Sequence, residues 1–343
     1  MTRSLDDFDA SATGVSGTLW GLPFDVESAT LVVLPVPWEV TVSYGGGASS
    51  GPRAILEAST QVDLYDSDHP DAWKKGIAMA PIPEDLERQG EILRTEAAKA
   101  IEAVHAGGAE DPETLRRINE GCERMVARVR EEAAGLLERG KLVAVLGGDH
   151  SAPLGLMQAL AERAGTYGIL HIDAHSDLRE GYEGFVHSHA SIMHNALRIE
   201  AVSRLVQVGI RDYSGEEVEA IRSSSGRVKL FDYRGLERRR FAGLSWASLV
   251  KEIVDELPEK VYVSFDIDGL DPALCPGTGT PVPGGLQFEE ALYLVERVRA
   301  SGRRIIGFDL CEVSPGRGAE GAGEWDANVG ARVLYRLCCT ALA

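Results

Sequence analysis

Seven positions, HIDAHSD at 171–177, hold two carboxylates and two imidazoles directly behind an apolar run. Two other segments share that makeup. LVAVLGGDHS (142–151) ends in Asp149, His150 and Ser151, and VYVSFDIDGLDP (261–272) carries Asp266, Asp268 and Asp271. Six of the eight histidines fall between 150 and 194. In extended chain alternate side chains share a face, so Asp173 can point with His175, and Asp266 with Asp268. Asp177 joins them if the extension persists or a turn brings it round. His171 shares the direction but lies deeper, and reads as a hydrogen-bonded core histidine. Clustered carboxylates repel one another and resist burial unless a cation compensates them. One D-x-D at a strand end is ordinarily a solvated turn, but three such segments in one chain need another explanation. Pooled, His150, Asp173, His175, Asp177, Asp266 and Asp268 give two imidazoles, four carboxylates and no thiolate. That set suits hard to borderline divalent ions such as manganese, admits nickel or cobalt, and fits a tetrahedral structural zinc poorly. With bridging carboxylates it suffices for two ions about 3.5–4 Å apart, the spacing of two-metal catalysis.

The elements that must position these groups follow from hydrophobic periodicity. Strand-like runs occur at 30–38, 142–146, 167–172, 204–210, 261–265 and 304–310, and helix-like runs near 153–163, 245–257, 288–301 and 327–341. Residues 84–140 also read as helical. Asp111-Pro112-Glu113 is a helix start, and Leu115, Ile118, Cys122, Met125, Val126, Val129 and Leu136 keep helical spacing as far as Gly140. AGGAEDP (106–112) is the expected exposed loop between two helices. Continuous apolar strands alternating with amphipathic helices predict an α/β fold: a single domain with a parallel sheet sandwiched by helices on both faces. In such sheets sites gather at the carboxyl ends of strands. Residues 1–28 are polar and read as an N-terminal arm or a cap on a neighbouring subunit, which leaves 29–343 as the catalytic domain. YGGGASSGPRAI (44–55) is a Gly-rich loop opening a helix, but Pro52-Arg53 stands where a phosphate loop needs Lys and Ser or Thr.

Composition narrows the partners. The chain of 343 residues carries a formal charge of −18, which weighs against nucleic acid or an anionic membrane and suits a cationic small molecule. No apolar run is long enough to span a bilayer and the start lacks a signal-peptide core. The five cysteines form no CxxC and no paired framework, as expected of buried reduced thiols in a cytoplasmic protein.

At these residues the sequence resembles the ureohydrolase family, which includes arginase, agmatinase, guanidinobutyrase and formimidoylglutamase. The resemblance spans roughly residues 30–340. GGDHS (147–151), DAHSD (173–177) and SFDIDGLDP (264–272) are similar to the family's three metal signatures, in the same order. It implies an arginase-like three-layer α/β/α fold and two Mn2+ per subunit on the six residues pooled above, with Asp173, Asp177 and Asp266 as candidates for bridging. VHSHASIM (186–193) resembles the segment of the family's catalytic histidine, which places that role on His189, with His187 and His194 as nearby alternatives. DLCEVSP (309–315) resembles the segment whose glutamate contacts the guanidinium, here Glu312. LREGYEG (178–184), SHAS (188–191) and GTGTPVPGG (277–285) are closer to agmatinases than to arginases. Arginases carry Asn where this chain has Arg179, and an acid where it has Ser214; both positions stand beside the substrate's far end in the family. The helical stretch 84–140 is longer than the family's usual connection. Trimers or hexamers are the family's assemblies, so a homo-oligomer is expected.

The implied reaction is hydrolysis of a guanidino group to urea and an amine, most simply agmatine to putrescine. Guanidinobutyrate, arginine, guanidine and formiminoglutamate are alternative substrates. Glu312 would orient the guanidinium, and His189 would pass a proton to the leaving amine. A deacetylase-like site would need a tandem His-His, which is lacking, and a phosphoesterase would need more cationic clamps than Arg179. A silent homologue acting as a binding subunit would ordinarily have lost ligands, and here all six are present.

Overall fold

The computed structural model describes residues 8–10, 17–108, 111–315 and 324–343. Eight strands form one sheet: β1 (Leu31–Val36), β2 (Ile77–Met79), β3 (Leu142–Gly147), β4 (Tyr167–Ile172), β5 (Val202–Val208), β6 (Val228–Phe231), β7 (Lys260–Asp266) and β8 (Arg304–Cys311). Their order is β2-β1-β3-β8-β7-β4-β5-β6, and every pairing is parallel. Parallel strands need crossovers, and helices on both faces supply them.

On one face lie α2 (Glu84–His105), α3 (Pro112–Glu138), α4 (Leu154–Ala164) and α5 (Ile192–Leu197); on the other, α1 (Gly51–Ser59), α7 (Tyr233–Phe241), α8 (Trp246–Asp255), α9 (Phe288–Ala300) and α10 (Glu324–Leu342). Alternation along β3 feeds both cores: Val143 and Val145 pack toward α3 and α4, Ala144 and Leu146 toward α1. The expected three-layer α/β/α architecture is the observed one.

The helical stretch 84–140 is two helices, and Asp111 caps the second by accepting from Thr114 N–H at 3.1 Å. The proposed loop 106–112 includes positions 109 and 110, which lie outside the described residues. Of the polar segment 1–28, Leu19, Trp20 and Leu22 are buried and join the core beside α10 instead of standing off as an arm; positions 1–7 and 11–16 lie outside the described residues.

Five elements carried no readable period. β2 and β6 are short edge strands. α5 spans only six residues, and α6 (Gly215–Ser223) and α7 bury one side chain each, Glu217 and Leu236. The five cysteines are buried and free. No helix among the described residues is long and apolar enough to cross a membrane.

Candidate metal centre and catalytic cleft

The four central strands, β3, β8, β7 and β4, bring their carboxyl ends together. After β3 the chain turns through Gly147 and Gly148. A Cβ on Gly148 would lie 2.0 Å from the Trp38 carbonyl oxygen, so only glycine lets this turn close. Beyond it comes His150, whose Nδ1 lies 3.0 Å from Asp173 Oδ2, 3.2 Å from Asp177 Oδ2 and 3.3 Å from Asp266 Oδ2. His175 Nδ1 lies 3.0 Å from Asp268 Oδ2 and 3.5 Å from Asp173 Oδ1. All six pooled residues therefore converge, and Asp173 stands between the two imidazoles with one oxygen toward each.

Their other atoms are held by backbone and loops. Asp266 Oδ1 accepts from Asp268 N–H at 2.9 Å, Asp268 Oδ1 from Ala174 N–H at 3.0 Å, and Asp173 Oδ1 from His175 N–H at 2.6 Å. Asp177 sits at φ 55°, a left-handed conformation that a non-glycine residue keeps only where its surroundings over-determine it. Its carbonyl oxygen accepts from Met193 N–H and His194 N–H at 3.0 and 3.1 Å, which ties the start of α5 to the metal-motif loop.

Beneath this cluster runs a buried polar row that the sequence reading did not assemble. In register across the sheet lie Gln207 of β5, His171 of β4, Ser264 of β7 and Asp309 of β8. Gln207 Nε2 donates to His171 Nδ1 at 3.0 Å, which leaves the proton on Nε2 to be donated to Asp173 Oδ2 at 2.8 Å. Ser264 Oγ lies 2.9 Å from His150 Nε2 and donates to Asp309 Oδ2 at 2.9 Å. His171 is thus a hydrogen-bonded core histidine with both nitrogens engaged, and it orients a carboxylate of the cluster. The signal was present as H-x-D and S-x-D, a polar residue two positions before each strand's terminal acid. Gln207 and Asp309 carried none.

The field of the cluster is that of a cation site. Burial opposes charge on His150, yet the three carboxylates outweigh it and hold the imidazole well above its ordinary value. Burial likewise opposes a charged His175, and Asp268 and Asp173 raise it to about 12. Burial, then the neighbouring acids Asp268 and Asp173, push Asp266 up. His150 Nδ1 nevertheless makes no hydrogen bond of acceptable geometry, although three carboxylate oxygens surround it. A buried ring nitrogen facing oxygens without bonding to them is the arrangement that a shared divalent ion completes. The donors gather in two overlapping groups, His150, His171, Asp173 and Asp177 with Asp266 adjoining, and Asp173, His175 and Asp268; His171 has both nitrogens engaged in hydrogen bonds, which leaves the other donors to face an ion.

The cluster opens into a cleft of about 190 Å³ lined by His175, Asp177, Arg179, Tyr182, His189, Asp212, Tyr213 and Glu217. His189 is the loop histidine that reaches it; His187 and His194 are not among the lining residues. Burial, with His175 and His150 nearby, pulls the His189 imidazole down to about 4. Its Nδ1 lies 3.4 Å from Ser188 Oγ. Arg179 lines the cleft with its guanidinium 5.0 Å over the Tyr182 ring. Glu312 is not among the lining residues; its Oε1 accepts the backbone N–H of His150 at 2.8 Å. It too holds a positive φ, 62°, and burial followed by the Asp149 charge pushes its carboxyl well up.

Ser214 is placed differently from its expected role beside the substrate. Its hydroxyl caps α6 by accepting from Glu217 N–H at 3.3 Å while Glu217 Oε2 accepts from Ser214 N–H at 2.8 Å, and it does not line the cleft. Asp212, two residues earlier, does. Glu217 also accepts Leu178 N–H at 3.1 Å, joining this cap to the metal-motif loop.

The profile of the arginase family matches residues 29–339. The N(1)-aminopropylagmatine ureohydrolase of Thermus thermophilus is 36% identical over 289 residues, 84% of each chain. The agmatinase of Bacillus anthracis is 30% identical over 290 residues, 84% of this chain and 85% of its own. Among solved structures, the agmatine ureohydrolase of Thermoplasma volcanium superposes with a TM-score of 0.71 at 25% identity, covering 93% of this chain and 92% of that one.

Proposed function

Because the chain belongs to the arginase family and is a ureohydrolase, a hydrolase of the non-peptide C–N bonds of linear amidines, we propose that it cleaves agmatine to urea and putrescine. The proposal assigns two manganese ions to His150, Asp173, His175, Asp177, Asp266 and Asp268. The observation that carries it is the convergence of these six groups, two of which, His175 and Asp177, line a cleft that also holds His189 and Asp212. When bound, the ions supply a water whose pKa coordination lowers to about 7, a nucleophile strong enough for the poorly electrophilic guanidino carbon.

The chain's own groups do the rest. Glu312, already fixed through Oε1, offers Oε2 to the guanidinium N–H groups and turns the planar carbon toward the cluster. His189 has Nδ1 beside the Ser188 hydroxyl, which leaves Nε2 to take up the proton released as water adds to the guanidino carbon and to pass it to the departing amine nitrogen. Protonating that nitrogen turns a strongly basic leaving group into a neutral amine. Asp212 offers the cleft a carboxylate for a cationic tail, and Tyr182 and Tyr213 offer rings against which a methylene chain would pack.

A second reading has its own support. The Thermus relative acts on N(1)-aminopropylagmatine according to its name, and the exposed Asp212 suits a longer polycation equally well. The test is urea release by the manganese-loaded enzyme from agmatine, N(1)-aminopropylagmatine, guanidinobutyrate, arginine and guanidine. The highest kcat/KM on agmatine supports the proposal, and on the aminopropyl compound the second reading. Preference for guanidinobutyrate or arginine, whose tails carry a carboxylate, overturns both.

A further inference from the structure

The turn next to His189 is held from outside the catalytic sheet. Tyr182 and Phe185 close a two-residue hairpin, with Tyr182 N–H donating to Phe185 O at 3.1 Å and Phe185 N–H to Tyr182 O at 2.9 Å. Glu183 and Gly184 between them lie at φ 52° and 78°. Two successive positive φ values make the mirror-image turn that a hairpin of this length needs. Gly184 adopts its value freely, whereas Glu183 carries a Cβ and has to be held there.

Asn195 of α5 donates to Val186 O at 2.9 Å, and the groups that reach Glu183 and Gly184 belong to the α2–α3 pair. Asn119 of α3 donates from Nδ2 to Gly184 O at 3.0 Å and accepts at Oδ1 from Val186 N–H at 2.9 Å, so one amide grips both sides of the turn. His105, the last residue of α2, meets Glu183 Oε1 through Nε2 at 2.9 Å. The ring of Tyr182 then stands under the Arg179 guanidinium and edge-on to the His189 imidazole, with ring centroids 6.4 Å apart at 82°.

We infer that Asn119 is a positioning residue for the reaction: it fixes the Glu183–Val186 turn, the turn fixes Tyr182, and Tyr182 fixes the plane of the His189 imidazole. This gives the α2–α3 pair a part in the chemistry that its distance from the metal ligands conceals. The inference rests on the proposed proton transfer by His189.

Both bonds of Asn119 are solvent-exposed, so in a variant water satisfies Gly184 O and Val186 N–H without tying the turn to α3, and the fold survives. The experiment compares the full-length, manganese-loaded wild type with Asn119→Ala and Asn119→Asp. The aspartate keeps the acceptor for Val186 N–H and loses the donor to Gly184 O. For Asn119→Ala the expected result is a fall in kcat on the order of tenfold, within the roughly 100-fold that an ångström of misplacement can cost. KM and metal content should stay at their wild-type values. Asn119→Asp should recover part of the loss, and amide exchange at 183–186 should quicken in Asn119→Ala while the strands stay protected. A purely structural anchor would instead lower thermal stability without dividing kcat from KM. Unchanged kcat, or unchanged exchange at 183–186, overturns the inference. If the wild type releases urea from no guanidino compound, the substrate reading fails by itself. The exchange comparison needs no substrate and still decides whether Asn119 holds the turn.

Discussion

At their amino ends the central strands begin with Lys141, Lys260 and the pair Arg303-Arg304; at their carboxyl ends they run into His150, Asp173, Asp266 and Glu312. Both ends are charged, and they differ in what the charges meet. Lys141 Nζ donates to the carbonyl oxygens of Glu27 and Ala29, Lys260 Nζ to that of Ala164, and Arg303 Nε to that of Leu257 at 2.8 Å. Each of these cations finds backbone acceptors near solvent, and no amino-end cation depends on another. At the carboxyl ends the charged groups are buried and face chiefly one another, with Asp173, Asp177 and Asp266 all within 3.3 Å of one ring nitrogen. Charge stands along the sequence at both ends. Mutual dependence in burial is what makes one of them a site.

The sharpest way to break this contrast is to remove one member of the dependent set. Asp266→Asn should retain less than its full pair of ions after dialysis, as read by elemental analysis. It should lose more activity than the roughly 10–100-fold typical of groups that only support a metal ligand. An active variant with both ions bound would sink the assignment. Next in size, His189→Ala should lower kcat by about 10²–10⁴-fold with metal content unchanged, because His189 lines the cleft without belonging to the cluster. Parallel loss of metal in that variant would place His189 among the ligands instead.

A smaller effect is expected one step below the cluster. Gln207→Leu removes the donor that fixes the His171 tautomer, and should weaken metal affinity by about tenfold, the low end of the range for supporting groups. Metal titration followed by urea release measures this, and unaltered affinity would show that the polar row merely fills the sheet. At the opposite end of the strands, Lys260→Ala should leave kcat/KM unchanged and cost about 1 kcal/mol of stability in denaturant unfolding. A loss of activity there would abolish the distinction between the two ends.

How much of this was legible depended on whether the signal lay along the chain or across it. Asp173 with His175, and Asp266 with Asp268, were readable because each pair sits two positions apart at one strand end, where alternation favours one face; His150 and Asp177 were legible as polar groups behind apolar runs, and a left-handed turn brings Asp177 round. The central strands and the long helices were readable for the same reason. Ser214 misled because its family position borders the substrate, whereas its own hydroxyl is satisfied locally by Glu217, three residues on. Leu19, Trp20 and Leu22 were absorbed into a polar segment because three core residues in twenty-eight make no period. The Gln207, His171, Ser264 and Asp309 row draws one residue from each of four strands and could not be seen in any one of them.

The sequence by itself determined the chemistry on offer: mixed imidazole and carboxylate donors, no thiolate, an acidic surround, and parallel strands obliged to end on the same side. Local spacing settles these, since pleat direction and side-chain type need no partner. The tertiary structure alone decided that β8 lies between β3 and β7, bringing Asp309 and Glu312 against His150. It also decided that His189 and not its neighbours enters the cleft, and that Asn119 reaches the turn beside it. Those facts depend on strand order and on helices packing over loops far away in the chain, and no periodicity within one segment encodes them.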